Sequence, residues 1–199
     1  WDGTVRIWDA TDGTPVRKYS VQGSGTAYRT PVGAIPGYGT QARIGVLSVA
    51  WAPDGRHIAI GATDNAVRIW NWDEDDVSDP FKGLTRDEKH SNQVSSVSFH
   101  CDSMLIVSGS LDNTLRVWSL DGKCVLAIGT PYQQSRTGVT PGPHDGHLSS
   151  VECVQFSPNG ERIVSGSYDR TARIWNFTQN DDGSYNAAPF QTITCSSIV

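Results

Sequence analysis

A short block recurs four times along the 199 residues, and in each copy an Asp precedes a Trp by six positions. The copies are Asp2–Trp8, Asp64–Trp70, Asp112–Trp118 and Asp169–Trp175. In the last three copies an aromatic residue stands thirteen positions before the Asp. A fixed internal period indicates an architecture in which each copy is one supersecondary unit. The chain is therefore predicted to fold as a series of similar units.

Each full copy alternates between β-rich runs and turn residues. The run Val46–Trp51 is followed by the turn Pro53–Gly55 and by a second apolar run, and Val94–Phe99 and Val151–Phe156 have the same continuation. The block that ends in Trp predicts a third strand. Weaker fourth strands are predicted at Pro15–Val21, Pro80–Leu84, Cys124–Ile128 and Phe190–Thr194. Short strands between turns, without helical periodicity, predict an all-β fold.

The segment Ser165–Trp175, together with Gly146-His147 nine residues before Phe156, resembles the signature of the WD40-repeat family. The resemblance covers three full repeats and the tail of a fourth. It implies a β-propeller with four antiparallel strands per blade. The expected structure is therefore an incomplete propeller of about three and a half blades, or fourteen strands, within a longer propeller. The expected segments are half blade 1–21, loop 22–43, blade 44–84, blade 90–128, loop 129–146 and blade 147–194.

The resemblance also implies a buried hydrogen-bond relay in each blade, formed by a His, a Ser or Thr, an Asp and a Trp. Two blades carry the whole set, namely His90, Ser108, Asp112 and Trp118, and His147, Ser165, Asp169 and Trp175. The other two keep part of it, namely Asp64 and Trp70, and Asp2 and Trp8. Ala42 and Ile60 stand where the His and the Ser are expected. Such a set can pair its own polar groups, so we interpret it as structural. We also expect Asp64→Ala to cost less stability than Asp169→Ala, because no His loses its partner.

Ser, His and Asp also form hydrolase triads. Here the set occurs in two blades, no Gly-x-Ser-x-Gly motif is present, and a Ser buried in a blade cannot reach a substrate. We therefore predict no catalytic residue, no metal site and no cofactor. An Arg stands two positions before each Trp, and we interpret these residues as half-buried packing groups: Arg6, Arg68, Arg116 and Arg173.

The charge balance and the apolar runs limit the partners and the compartment. Sixteen Lys and Arg against twenty-one Asp and Glu give a net charge of −5, which argues against direct binding to nucleic acid. No apolar run approaches the roughly 18 residues of a membrane span. No secretory signal is recognised, and the four Cys lack the paired spacing of a zinc site or a disulfide framework. These features predict an intracellular protein of the cytoplasm or nucleus without membrane contact.

The function implied by the resemblance is that of a non-catalytic scaffold. It would present a propeller face to peptide or protein partners and contact the remaining blades of its parent chain. Two alternatives stay open, because a fold does not specify a function. One is a regulatory or substrate-recognition region of a larger multidomain enzyme, and the other is a WD40 protein associated with chromatin or nucleic acid.

The predicted partner site lies at the turn between the second and third strands of each blade, near the start of the innermost strand. Large side chains occupy three of the four turn positions, and Tyr and Trp often carry binding energy at interfaces. The candidates are Trp1, Thr63, Leu111, Tyr168, Arg43, Ser91, Gln93, Leu148 and Ser150. The alternative is that these side chains pad neighbouring loops, such as the long connection at 129–146.

Overall fold

The computed structural model describes residues 2–21, 44–73, 89–129 and 146–195. These ranges contain thirteen β-strands, and the strands form four antiparallel sheets of two, three, four and four strands. The all-β, incomplete-propeller architecture expected from the sequence is confirmed. Within the described ranges there is no helix of the length and apolarity needed to cross a membrane.

Each sheet corresponds to one repeat, and we call the sheets blades I to IV in chain order. Blade I contains β1 (Thr4–Trp8) and β2 (Pro15–Ser20). Blade II contains β3 (Val46–Trp51), β4 (His57–Ala62) and β5 (Val67–Asn71). Blade III contains β6 (Val94–Phe99), β7 (Leu105–Ser110), β8 (Leu115–Ser119) and β9 (Cys124–Ile128). Blade IV contains β10 (Val151–Phe156), β11 (Arg162–Ser167), β12 (Thr171–Gln179) and β13 (Tyr185–Thr194).

Blade IV ends in a longer hairpin than the sequence predicted. The strand expected at Phe190–Thr194 begins at Tyr185, and β12 continues to Gln179. The aromatic rings of Phe177 and Tyr185 stack across this extension, with centroids 5.5 Å apart and an interplanar angle of 5°. The strand predicted at Pro80–Leu84 lies outside the described residues, as do loop 22–43 and most of the connections 71–89 and 129–146.

A tight turn of the same conformation precedes the third-strand position in every blade. The residue after the repeat Asp has a positive φ in all four, with φ 71 at Gly3, 70 at Asn65, 75 at Asn113 and 66 at Arg170. In blades I, III and IV the Asp carboxylate accepts the backbone N–H two residues later, at 2.8–3.0 Å. The repeat Asp therefore holds the turn by an Asx bond, a standard way of stabilising such backbone.

Neighbouring blades are joined along their innermost strands, β3, β6 and β10. The backbone N–H of Val97 donates to Ser48 Oγ at 3.1 Å, and that of Val154 donates to Ser96 Oγ at 3.1 Å. Apolar side chains also fill the interface between blades III and IV, since Val107 and Val117 belong to one buried cluster with Val151. We call the face that a blade turns to the following blade its trailing face, and the opposite one its leading face.

Candidate functional site

The four relay side chains of blade III meet in one buried chain of hydrogen bonds. Trp118 Nε1 donates to Ser108 Oγ at 2.8 Å, and Ser108 Oγ lies 2.7 Å from His90 Nε2. On the other side of the imidazole, His90 Nδ1 lies 3.0 Å from Asp112 Oδ2. These contacts connect β8, β7, the segment before β6 and the β7–β8 turn.

Blade IV repeats this arrangement with nearly the same distances. Trp175 Nε1 donates to Ser165 Oγ at 3.0 Å, Ser165 Oγ lies 2.7 Å from His147 Nε2, and His147 Nδ1 lies 2.9 Å from Asp169 Oδ2. Since an indole N–H can only donate and a carboxylate only accept, each Ser hydroxyl donates to Nε2. The imidazole is thereby assigned as neutral, with its proton on Nδ1 and shared with the Asp.

The ionisation of these groups follows from their burial. Burial lowers the pKa of His90 and of His147 below the ordinary value, although the facing carboxylates oppose this effect. Burial acts to raise the pKa of Asp112, but hydrogen bonds from His90, Thr114 and Ser91 outweigh it and hold that pKa well below its usual range. For Asp169 the same balance lowers the pKa to about 2. At neutral pH the relay is therefore a neutral His bonded to a carboxylate.

A Thr is a fifth member of each relay, and the sequence analysis missed it. Thr114 Oγ1 donates to Asp112 Oδ1 at 2.6 Å and lies 3.2 Å from His90 Nδ1. Thr171 makes the equivalent contacts in blade IV, at 2.6 Å and 3.2 Å. The signal that could have revealed it is the Thr two positions after the repeat Asp, which accompanies the His in both blades.

Blade II neutralises its repeat Asp in another way. Ile60 is fully buried at the Ser position, and Ala66 stands at the Thr position. The Asp64 carboxylate instead receives two bonds from the Arg68 guanidinium, at 3.0 Å and 2.5 Å. Ala42 lies outside the described residues. Trp70 is buried and packs against Tyr19 of blade I, with ring centroids 5.5 Å apart.

The Arg two positions before each Trp is more buried than the sequence suggested. Arg68, Arg116 and Arg173 are only 2–7% exposed. Where the His is present, the Arg lies beside the Trp ring. The distance from the Arg Cζ atom to the Trp ring centroid is 5.9 Å for both Arg116–Trp118 and Arg173–Trp175. The interpretation of these residues as half-buried is therefore wrong for three of them, because the preceding blade covers the face of the strand on which each Arg lies.

Blade I has the Asp and the Trp but a different environment. Asp2 accepts a 3.0 Å bond from Arg6, as Asp64 does from Arg68. Trp8 is 53% exposed, against 1% for Trp118 and none for Trp175.

The serines of the two relays, Ser108 and Ser165, are buried and inaccessible to substrate. The relay can therefore order the blade and cannot attack a substrate.

The candidate partner residues meet in pairs within each blade. The backbone N–H of Leu111 donates to Gln93 O, and that of Tyr168 donates to Ser150 O, both at 3.0 Å. Thr63 makes the corresponding bond to Gly45 O at 2.9 Å. We call this end of the blades the turn face, and its described members are Thr63, Ser91, Gln93, Leu111, Leu148, Ser150 and Tyr168.

Two of these side chains protrude into solvent. Tyr168 is 72% exposed and Leu148 is 64% exposed, whereas Leu111 is half-buried. The hydroxyl of Thr63 accepts a bond from the Gly45 N–H, so this side chain is engaged within its own blade. The backbone N–H groups of Ser91 and Leu148 donate to Asp112 and Asp169, and each relay therefore also anchors the turn face. Trp1 and Arg43 lie outside the described residues.

Four-stranded sheets that repeat one relay, one Asx turn and one pattern of contacts between sheets define the chain as a repeat-built β-propeller segment. A family model described as WD domain, G-beta repeat matches residues 29–71, 83–119 and 139–176. These segments make up more than half of the chain. The chain belongs to the WD40-repeat family.

Several relatives share this similarity over different lengths. Cell division cycle 20.1, cofactor of APC complex, from Arabidopsis thaliana is 23% identical over 177 residues, which cover 87% of this chain and 30% of the relative. Protein HIR1 from Yarrowia lipolytica is 25% identical over 210 residues, which cover 97% of this chain and 18% of the relative. Small ribosomal subunit protein RACK1y from Oryza sativa subsp. japonica is 41% identical over 59 residues, which cover 29% of this chain and 15% of the relative. The chain spans less than a third of each of these relatives.

Proposed function

We propose that this chain is a non-catalytic interaction scaffold that presents its turn face to peptide or protein partners. In this proposal it acts within a longer intracellular WD40 protein of the cytoplasm or nucleus, whose remaining blades complete the propeller. The observation that carries the proposal is the exposure of Tyr168, a large amphipathic side chain, on a turn whose backbone is held rigidly.

The rigidity comes from bonds on both sides of Tyr168. Its own N–H donates to Ser150 O at 3.0 Å, and the neighbouring Asp169 accepts the Leu148 N–H at 3.0 Å. A side chain with few rotatable bonds on a fixed backbone loses little conformational entropy when it binds, which favours affinity. Leu148, whose N–H bonds the neighbouring Asp169, is a second exposed apolar side chain of the turn face. This combination is typical of interface anchors.

The relatives support the class of function. One is named as a cofactor of a complex and another as a protein of the small ribosomal subunit, so both belong to assemblies. The alternative of direct nucleic-acid binding is opposed by the net charge of −5. The alternative of a recognition region in a larger enzyme would use the same turn face and differs only in what the rest of the protein does.

The test compares the partners bound by the full-length protein before and after the exposed side chains of Tyr168 and Leu148 are replaced. We expect Tyr168→Ala combined with Leu148→Ala to weaken partner binding by roughly 2 kcal/mol, a factor of about thirty. Met104→Ala is the matched control, because Met104 is 61% exposed on the β6–β7 turn at the opposite end of the blades. Quantitative affinity purification, with the melting temperature of each variant, measures the effect. An unchanged set of partners in the double variant would contradict the proposal.

A further inference from the structure

The turn between β1 and β2 is exposed along its whole length, from Trp8 to Val16. Since β1 starts at the Asp2 turn and leads away from it, this turn lies at the end of blade I opposite the turn face. We propose that Thr14 in this turn is phosphorylated by a Ser/Thr kinase that selects a Pro after the acceptor, and that the phosphate weakens the turn. This inference goes beyond the proposed function, because it concerns a chemical modification at the other end of the blade.

The residues after the Thr14 hydroxyl suit such an enzyme. They read Pro15, Val16, Arg17 and Lys18. A Pro keeps the residue before it in extended backbone and has no N–H of its own. An enzyme groove that offers no acceptor at this point therefore takes Pro, whereas any other residue would bury an unpaired N–H there. The two positive charges that follow can pair with acidic side chains of the enzyme.

Four other hydroxyl residues of the chain precede a Pro, and they lack the basic residue three positions on. They are Thr30, Thr130, Thr140 and Ser157, and the residues at that distance are Gly33, Gln133, Pro143 and Gly160. The three Thr residues lie outside the described ranges. Ser157 is half-buried, and its Oγ donates to Asn159 Oδ1 at 2.6 Å and accepts the Arg162 N–H at 3.0 Å. Thr14 therefore combines the sequence pattern with exposure.

An enzyme can reach the Thr14 hydroxyl from outside the blade. Thr14 Oγ1 donates to Asp12 Oδ1 at 2.8 Å, and Asp12 is itself exposed on the turn. The segment that a kinase must draw into its groove continues into β2, and no described strand pairs with the second edge of β2. Because no side chain from Trp8 to Val16 is buried, this end of the hairpin can open without disturbing the core.

The reaction transfers the γ-phosphoryl group of ATP to Thr14. Its Oγ1 attacks the γ-phosphorus, the bond to the bridging oxygen breaks, ADP leaves with the electron pair, and the hydroxyl proton passes to a carboxylate of the kinase. The product carries about −1.5 to −2 charges at neutral pH. It has lost the proton that bonded Asp12, and its charge faces the Asp12 carboxylate, whose pKa is lowered by hydrogen bonds from Thr14. Repulsion therefore replaces a bond that holds the turn.

The experiment treats the native full-length protein with a purified proline-directed Ser/Thr kinase and Mg-ATP, and peptide mass spectrometry measures the rate of phosphorylation at each site. We expect Thr14 to be modified faster than Ser157. Pro15→Ala keeps the acceptor hydroxyl and restores an N–H, so it should slow the modification of Thr14 by about tenfold or more. Thr11→Ala is the matched control, because Thr11 is an exposed Thr of the same turn, bonded to Asp9 as Thr14 is to Asp12. It should leave the rate at Thr14 unchanged.

Amide hydrogen exchange of the phosphorylated protein measures the effect of the phosphate on the turn. We expect faster exchange at the Asp9 N–H, which donates to Thr14 O at 2.8 Å, and along β2, with the exchange of blades III and IV unchanged. The proposal is overturned if Thr14 carries no phosphate, if Thr11 is modified as fast, if Pro15→Ala reacts like the unchanged protein, or if exchange at the turn stays the same or slows. None of these readouts depends on partner binding.

Discussion

The repeat Asp has different hydrogen-bond partners in different blades. It always bonds the turn that follows or an Arg on the third strand, and in blades III and IV it also bonds a His. Asp112 and Asp169 are bonded to His90 and His147, whereas Asp64 is bonded to Arg68. A buried carboxylate needs such partners, since leaving it unpaired costs several kcal/mol. The choice of partner follows from which other side chains are present.

Replacing the repeat Asp tests this exchange of partners. We expect Asp169→Ala to lower the free energy of unfolding by about 1–3 kcal/mol, because buried His147 loses its acceptor. The sequence alone suggested a smaller loss for Asp64→Ala. Since Asp64 makes two bonds with buried Arg68, we now expect a comparable loss. Chemical denaturation measures both, with exposed Asp181→Ala as control. A loss for Asp64→Ala below half of that for Asp169→Ala would restore the first expectation.

The relay also predicts how stability depends on pH. The pKa values of His90 and His147 are lowered on folding, so the unfolded chain takes up protons below about pH 6.5 that the folded chain does not. The stability that depends on the two neutral His side chains should therefore be fully present near pH 7 and should fall between pH 6.5 and 5.5. The slope is at most about 1.4 kcal/mol per pH unit for each His. Asp112 and Asp169 stay ionised in this window, because folding lowers their pKa values.

Denaturation midpoints at pH 7.0, 6.0 and 5.5 measure this dependence. The double variant His90→Gln, His147→Gln starts from a lower stability and should lose less of it on acidification. An equally steep loss in the double variant would show that other groups cause the effect.

At the scale of strands, the outermost strands share a bulge opposite the repeat Trp. The pairing shifts between Ile7 and Trp8, between Val117 and Trp118, and between Ile174 and Trp175. Each shift leaves one extra residue on the outer strand, which twists the edge locally. Bulges of this kind also make an edge a poorer template for pairing with other chains. In blades I, III and IV the bulge therefore protects the outer edge of the sheet.

The second strands carry a Gly where the following blade approaches most closely. A Cβ atom at Gly109 would lie 2.7 Å from Val151 Cγ1 and 2.8 Å from Val154 Cγ1, both buried at the III–IV interface. At Gly166 the single close atom is Cys153 Sγ at 2.8 Å, on an exposed residue. We expect Gly109→Ala to cost about 1–3 kcal/mol through overpacking, and Gly166→Ala to cost clearly less. Thermal unfolding of the two variants compares them directly. Equal losses would mean that the contact between blades is not the cause.

At the scale of the whole molecule, the two end blades each leave one face uncovered. Val164 on the trailing face of blade IV is 43% exposed, whereas its counterpart Val107 is fully buried by blade IV. Phe190 and Ile193 add to this apolar surface, and the Arg162 guanidinium lies 4.3 Å from the Phe190 ring centroid. Contiguous exposed apolar surface favours association.

We therefore expect the isolated 199-residue chain to self-associate in a concentration-dependent way. Sedimentation velocity over a tenfold or wider range of concentration measures it. Trp51 of blade II is 51% exposed, and Trp51→Ser combined with Val164→Thr removes exposed apolar surface from blades II and IV, which should shift the distribution towards monomer. Leu148→Ser, at an exposed apolar position on the turn face, is the control. A monodisperse monomer at every concentration would contradict the prediction.

Much of the fold followed from local patterns. The alternation in β3, β6 and β10 and the Asp-to-Trp interval located the strands, because period-two patterning and Asx turns depend on neighbouring residues only. The extension of the β12–β13 hairpin could not be predicted in this way. It depends on stacking between Phe177 and Tyr185, which lie on opposite strands.

By itself the sequence determined the repeat, the all-β class and the residues that stand at each relay and turn position. These depend on spacing, which the chain carries locally. Only the tertiary structure decided that Asp64 binds Arg68, that Thr114 and Thr171 join the relays, and which side chains are exposed. Val107 and Val164 occupy the same position in their repeats, yet one is buried and the other exposed. The physical reason is that burial and polar partners come from the adjacent blade, which no spacing within a single repeat can specify.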